Sequence, residues 1–418
     1  MEGWDAVLIA GFILAFALVS RRIRGTPITA PIVFVGFGFL VGPRGLDWID
    51  LPTSSELIHW LAKLTLVLIL FTDASGIRLR ALERERVLPL RLLGIGLPLT
   101  LAVGFGVAAL LFGDLELWEA GILAVILAPT DAALGQAVVT NEKVPGRIRQ
   151  SLNVESGLND GICVPILAVC TAGAAAAESA EAMQASDYWI RFGLESIGYG
   201  VLSGVVVGLF AVRLVDWSIR AGWMSHGWQR LSMIGIPLLA FTIAEATGGS
   251  GFIASFVAGL SVGHTTRHIK GHVMEFAEDA GDLLSLFTWL IFGGVLVTVA
   301  IDHFTWQVAL YAVLSLTVVR MAPVAVALLG MRLNRTTVAF LGWFGPRGLA
   351  SIVFTMELIQ NDAVAGRSTI AQVVTWTVLL SVIIHGVTAA AGANWYARKM
   401  QPTTVDAGDG GGDPERQR

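Results

Sequence analysis

The feature that most restricts this chain is a succession of apolar windows, most of them long enough to cross a bilayer. They fall near 5–20, 28–42, 56–72, 92–113, 118–138, 151–173, 190–212, 231–247, 252–263, 282–301, 306–330, 337–358 and 370–391. A hydrocarbon core of about 30 Å takes about 20 apolar residues as a helix. Lipid offers the backbone no hydrogen-bond partners, so such windows must fold as helices. The sequence therefore predicts an all-α polytopic membrane protein with about 13 transmembrane helices. The second and ninth windows are short, and a count of twelve is the alternative. Composition agrees: the chain is 55% hydrophobic and 14% charged, with a mean hydropathy of +0.70. A soluble domain runs nearer a quarter charged.

The charges between windows test the count. Arg78, Arg80, Arg84, Arg86 and Arg91 follow the third window, Lys143, Arg147 and Arg149 the fifth, and Arg267 and Lys270 the ninth. The alternate loops are acidic, with Asp47, Asp50 and Glu56, then Asp114, Glu116 and Glu119, then Glu178, Glu181 and Asp187. The positive-inside rule then puts the N-terminus outside and the tail in the cytoplasm. The first window has its basic cluster, Arg21, Arg22 and Arg24, after it rather than before it. That order suits a first membrane helix and not a cleavable signal peptide.

Six windows that begin outside also end outside, and one more returns the chain to the cytoplasm. The next six would then run with inverted topology. The expected organisation is a membrane domain over 1–400, with repeats over about 5–173 and 231–391 and a linker helix near 190–212. Residues 401–418, polar and glycine-rich, are expected to form a disordered cytoplasmic tail. Inverted repeats are common in secondary transporters, with the site at the repeat interface on discontinuous helices. Window 5 carries Ala128-Pro129-Thr130-Asp131, and window 12, also the fifth of its half, carries Gly345-Pro346-Arg347-Gly348. Proline removes a helical hydrogen bond and glycine tolerates unwound backbone, so both helices are expected to break and cross there.

The next window adds Glu155-Ser156-Gly157-Leu158-Asn159-Asp160. Three carboxylates this close within apolar segments are costly and mark a functional site. Ser156 and Asp160 are four residues apart, as are Glu155 and Asn159, so each pair stacks on adjacent helical turns. Asp160, Ser156 and Thr130, with Asp131 and Asn159 beside them, offer oxygens to a hard cation such as sodium. Desolvation favours the protonated form of a buried carboxyl, and a bound cation favours the ionised form. One carboxylate can therefore hold a proton or a cation in competition, and Asp160 is the candidate exchanging group. Two basic residues lie in mid-window. Arg320 is expected to pair with Glu155 as a structural bridge between the repeats. Arg347 and Asp131 are expected to face half-helix ends at the crossing, although these two assignments could be exchanged.

These motifs resemble the monovalent cation:proton antiporters, in particular the electroneutral NhaP-type sodium/proton exchangers. The likeness rests on Pro129-Thr130-Asp131, Glu155 to Asp160, and Arg320. It extends to Ser250-Gly251-Phe252-Ile253-Ala254 with Ala258-Gly259-Leu260, Gly345-Pro346-Arg347-Gly348, and His385-Gly386. The resemblance implies a homodimer, a thirteen-helix inverted-repeat fold and an elevator-like motion. Asp160 would bind cation or proton, Thr130, Asp131, Ser156 and Asn159 would lie in or beside the site, and Glu155–Arg320 would bridge. Asparagine at 159, rather than a second aspartate, goes with one-for-one exchange in that family. Ala132 is a departure, since many relatives carry proline there. The function expected is exchange of sodium or lithium for protons, with potassium/proton exchange as the alternative. No cofactor and no nucleic-acid partner are called for, and a prokaryotic plasma membrane is the expected location.

Other residues support weaker readings. Asp73, at the end of window 3, is either an ordinary interfacial charge or a cation entrance. Glu245 is similar. Cys163 and Cys170 read as small core residues, and His264, His268 and His272 as a solvated stripe. Gly248-Gly249-Ser250-Gly251 with His385 as base would suit a rhomboid-like intramembrane protease, but that reading leaves Asp131, Glu155, Asp160 and Arg320 without a role. Nothing resembles the repeated carbonyl or charge rings of a channel.

Overall fold

A computed structural model describes residues 3–23, 26–49, 56–76, 87–178, 186–265 and 273–400. The tail 401–418, His268 and His272, and the basic residues Arg24, Arg78, Arg80, Arg84, Arg86, Arg267 and Lys270 lie outside the described residues. The described residues form helices and turns, with no strand among them.

The chain runs through α1 (Gly3–Ile23), α2 (Ala30–Val41), α3 (Glu56–Gly76), α4 (Val87–Leu111) and α5 (Leu117–Ile126). A one-turn α6 (Gln136–Val139) precedes α7 (Gly146–Glu178), α8 (Ser186–Arg220), α9 (His226–Ala246) and α10 (Gly251–Thr265). Then come α11 (Glu275–His303), α12 (Trp306–Ala327), α13 (Arg335–Trp343), α14 (Leu349–Ile359) and α15 (Arg367–Met400). Eight of these are long and apolar enough to cross a membrane. Others are short because the chain breaks where the sequence carries proline and glycine: 127–135 separates α5 from α6, and 344–348 separates α13 from α14.

The helices pack as two groups. α2, α3, α8, α9, α10 and α11 pack on one another, and α1 lies against α2 through Phe12 and Phe16 on Phe34 and Phe37. We refer to these as the scaffold group. α4, α5, α7, α12, α13, α14 and α15 form the core group. The groups meet where α7 touches α8, α3 and α10, where α14 touches α3 and α11, and where α15 touches α2 and α11. Within the scaffold, α2 and α11 approach closely because Gly38 lies on the Leu290 carbonyl and Gly293 on the Val35 carbonyl. A Cβ at either position would overlap backbone.

Helix ends outrun the apolar windows. α7, α8 and α15 reach 33, 35 and 34 residues, because backbone hydrogen bonding continues past the point where side chains turn polar. α5 opens on a capping box in which the Glu119 carboxylate accepts from the Glu116 N–H at 3.0 Å. Its other oxygen accepts from Gly366 N–H at 2.5 Å, tying α5 to the turn before α15. Glu119 is thus a buried anchor and not a solvated loop charge.

Candidate functional site

The two breaks meet. The Asp131 N–H donates to the Pro346 carbonyl at 2.8 Å, so the two unwound segments hydrogen-bond directly. The Asp131 carboxylate accepts from Leu349 N–H at 3.0 Å, at the start of α14, and from Ala133 N–H at 2.8 Å. A helix start presents free N–H groups and the positive end of its dipole, so a carboxylate there is stabilised. Arg347 does the converse: its Nη1 donates to the Ala128 and Pro129 carbonyls at 2.6 and 3.3 Å, beyond the end of α5. Ser351 Oγ donates to the Ile126 carbonyl at 2.7 Å. Backbone groups released by the breaks are therefore met by Asp131, Arg347 and Ser351. A Cβ on Gly348 would fall on the Asp131 carboxylate, so that position takes only glycine without a shift.

α7 brings the polar stripe against the two breaks. Ser156 Oγ donates to the Thr130 carbonyl, and Asn159 Nδ2 donates to Thr130 Oγ1 at 2.7 Å. Thr130, Ser156, Asn159 and Asp160 are all buried. Asp160 Oδ1 has no hydrogen-bond partner among the described residues. Carboxylate oxygens in such a setting are normally satisfied, so this atom stands ready for a proton or a cation. On the neighbouring stripe, Glu155 and Arg320 form a two-pronged ion pair at 2.5 and 3.0 Å, joining α7 to α12.

A cavity of about 640 Å³ reaches this point from one side. Thr130, Asp131, Ser156, Asp160 and Leu349 to Ser351 line it from the core group. Leu66, Asp73, Glu278, Asp282, Ser285 and Trp289 face them from the scaffold. The cavity thus lies between the two groups. Its lining includes the end of α3 and the starts of α7 and α11, which border the loops that the sequence marks as basic. Asn159 and Glu155 are not on the wall. Asn159 stands behind Thr130 and holds its hydroxyl, and Glu155 is engaged with Arg320.

Sequence reasoning overlooked Glu278 and Asp282. They stand one turn apart at the start of α11, before or at the edge of the apolar window. The signal was present in Glu275-Phe276-Ala277-Glu278-Asp279-Ala280-Gly281-Asp282, where acidic residues recur at helical spacing. Asp73 shares the cavity with Asp160, whereas Glu245 accepts from Gly251 N–H at 2.9 Å and serves as a helix cap. His385 is satisfied: the Arg347 N–H donates to Ser381 Oγ at 2.8 Å, Ser381 faces His385 Nδ1 at 3.2 Å, and Nε2 faces the Trp343 carbonyl at 3.0 Å. None of its partners belongs to the Ser250 segment, so the serine–histidine pair of the protease reading does not form. Cys163 packs with Leu97, Val125 and Ala128, and both cysteines are free.

Comparison with known proteins gives a consistent picture. The profile of the family described as "Sodium/hydrogen exchanger, transmembrane" matches residues 7–395. The chain is similar to the K(+)/H(+) antiporter NhaP2 of Shewanella sp. (strain MR-4), 23% identical over 94% of this chain and 67% of that protein. It is similar to the sodium, potassium, lithium and rubidium/H(+) antiporter of Bacillus subtilis, 28% identical over 70% of this chain and 41% of that protein. Among solved structures it resembles the sodium proton antiporter MjNhaP1 of Methanocaldococcus jannaschii, with a TM-score of 0.76 at 19% identity. That match covers 94% of this chain and all of the other. The all-helical fold is that of MjNhaP1, and with the family profile matching almost from end to end, the chain belongs to the transmembrane sodium/hydrogen exchanger family.

Proposed function

We propose that this integral membrane protein exchanges sodium or lithium for protons, one for one, by competition at Asp160. Membership in a family of exchangers makes it a cation/proton antiporter, a secondary transporter rather than an enzyme. The observation that carries the site assignment is the unpartnered Asp160 oxygen at the cavity wall, with Thr130 and Ser156 beside it. Sodium would take oxygens from Asp160, Ser156 and Thr130. Asn159 orients Thr130, and Asp131 and Arg347 hold the crossing through backbone groups, so their role is positioning. Glu155–Arg320 is the structural bridge, and Asp73 lies on the entry path.

The cavity between two helix groups supports alternating access by movement of the core group against the scaffold. Thirteen spans with inverted repeats over about 5–173 and 231–391, and the linker near 190–212, fit the helix order and the paired breaks. A homodimer in a bacterial plasma membrane is our reading, with the N-terminus outside and the cavity open to the cytoplasm. The basic loops beside the mouth support that orientation.

Potassium/proton exchange is the second reading, favoured by the similarity to NhaP2. Proteoliposomes with an internal pH dye separate the two. Sodium, lithium and potassium are added in turn, with and without a potential clamp, to parent and Asp160→Asn. We expect a response to sodium or lithium that the clamp does not alter and that the variant lacks. A response to potassium alone keeps the mechanism and changes the ion. Equal responses from parent and variant remove Asp160 from it.

A further inference from the structure

The cavity reaches the site from the side of the α3 end and the α7 and α11 starts, and on the opposite side the described residues of the two groups are in contact. Its scaffold wall on α3 runs from Leu66 to Gly76, and its core wall on α14 is the first turn, Leu349 to Ser351. Beyond that floor the interface is mainly apolar: Ile58 and Ala62 of α3, Phe292 and Val295 of α11, and Ile352, Val353 and Met356 of α14 are buried, with His59 and Thr355 the buried polar residues of the same stretches of α3 and α14. Lys63 of α3 and Glu357 of α14 lie on that side of the floor, with Ala62 and Ile58 farther along α3 and Ile352, Val353 and Met356 between the floor and Glu357 on α14. Glu357 stands six residues beyond Ser351, roughly 9 Å along the helix axis. Lys63 Nζ meets Glu357 Oε1 at 3.1 Å, joining scaffold to core, and the side chains are 29% and 43% exposed. The pair is thus a partly exposed tie between the two groups on the side of the floor away from the cavity mouth.

A second contact spans the groups near the same face. Trp376 of α15 donates its Nε1–H to the Ala300 carbonyl near the end of α11 at 3.1 Å. Its ring meets Phe304 edge-on at 4.7 Å. α11 begins at the cavity mouth and ends here, and α15 begins here.

We propose that Lys63–Glu357 and Trp376–Ala300 are a clamp between scaffold and core. The clamp holds the face opposite the cavity shut and so positions Asp160 for loading from the mouth. Both contacts must break when the core group moves, whereas the Glu155–Arg320 pair lies within the core group and travels intact. The proposal rests on the alternating-access reading, but its test needs no ion gradient.

The full chain is purified with Cys163→Ala and Cys170→Ser, and Met356→Cys is added as a reporter inside the interface beyond the floor. Its reaction rate with a polar thiol reagent measures how often that face opens. Ser285→Cys, on the cavity wall, reports in parallel that the protein is folded and the cavity accessible. Half-exposed ion pairs are worth little, so Lys63→Gln or Glu357→Gln should raise the Met356→Cys rate about two- to fivefold. The exchanged pair Lys63→Glu with Glu357→Lys should return it toward the parent. Trp376→Phe, which keeps the ring and loses the donor, should also raise it. Unchanged rates in the single variants overturn the proposal, as does an exchanged pair as reactive as the singles. A protein that labels as expected but moves no cation would refute the antiporter reading and leave the clamp standing.

Discussion

Glu155→Gln removes one charge of a pair that is almost wholly buried, with 3% and 4% of the side chains exposed. Among the described residues Arg320 Nε has no partner, and the guanidinium's hydrogen bonds run to Glu155. With the two charge centres about 4 Å apart and an effective dielectric near 20, the Coulomb loss is about 4 kcal/mol. That agrees with the roughly 3–5 kcal/mol seen when one partner of a buried pair is removed. The assay is an unfolding equilibrium in mixed dodecylmaltoside and SDS micelles, followed by circular dichroism. Glu155→Gln and Arg320→Gln should each lose about that much, and Glu155→Gln with Arg320→Met together should lose clearly less than the sum. A single variant within about 1 kcal/mol of the parent, or a fully additive pair, would refute the reasoning, because neither is possible if the charges depend on each other.

Three further outcomes follow from the same geometry. Gly348→Ala places a methyl group on the Asp131 carboxylate, an overpacking cost of about 1–3 kcal/mol where the two breaks meet. Ion-driven proton flux in proteoliposomes should fall at least about tenfold, and wild-type flux would sink this view of the break. Competition at one carboxylate requires that the apparent KM for the cation rise about tenfold per pH unit once protons occupy the site, with maximal rate unchanged; a KM flat from pH 5 to 8 contradicts it. Ser250→Ala should leave transport within about twofold of the parent, because Ser250 faces neither the cavity nor His385; loss of function would reopen the role of that segment.

What the sequence made visible was whatever is expensive in lipid. Asp160, Glu155, Arg320 and Arg347 stand out because a charge within an apolar window needs a partner or a purpose. Pro129 and Pro346 stand out because each ends a helix at a matching place. Those features led to the two breaks that meet, the ion pair and the unpartnered carboxylate. Glu278 and Asp282 escaped because a hydropathy window treats a charged helix start as loop, although the helix and the cavity wall both continue through it. Glu119 was misjudged for the same reason: it sits in an acidic loop by sequence and is drawn inside by the amides of Glu116 and Gly366. Lys63–Glu357 could not be read at all. Nothing local links residues on two helices so far apart in sequence, and only the packing of scaffold on core brings them together.

The most direct test of the central claim is proton release on cation binding, measured by titration calorimetry of the purified protein. Sodium is added in two buffers of different ionisation enthalpy, which yields the number of protons released per cation bound. Competition at Asp160 predicts release that approaches one proton per sodium as the pH is lowered and the site fills with protons, and no sodium binding by Asp160→Asn. Sodium bound with no proton released at any pH, or bound equally well by the variant, would contradict it.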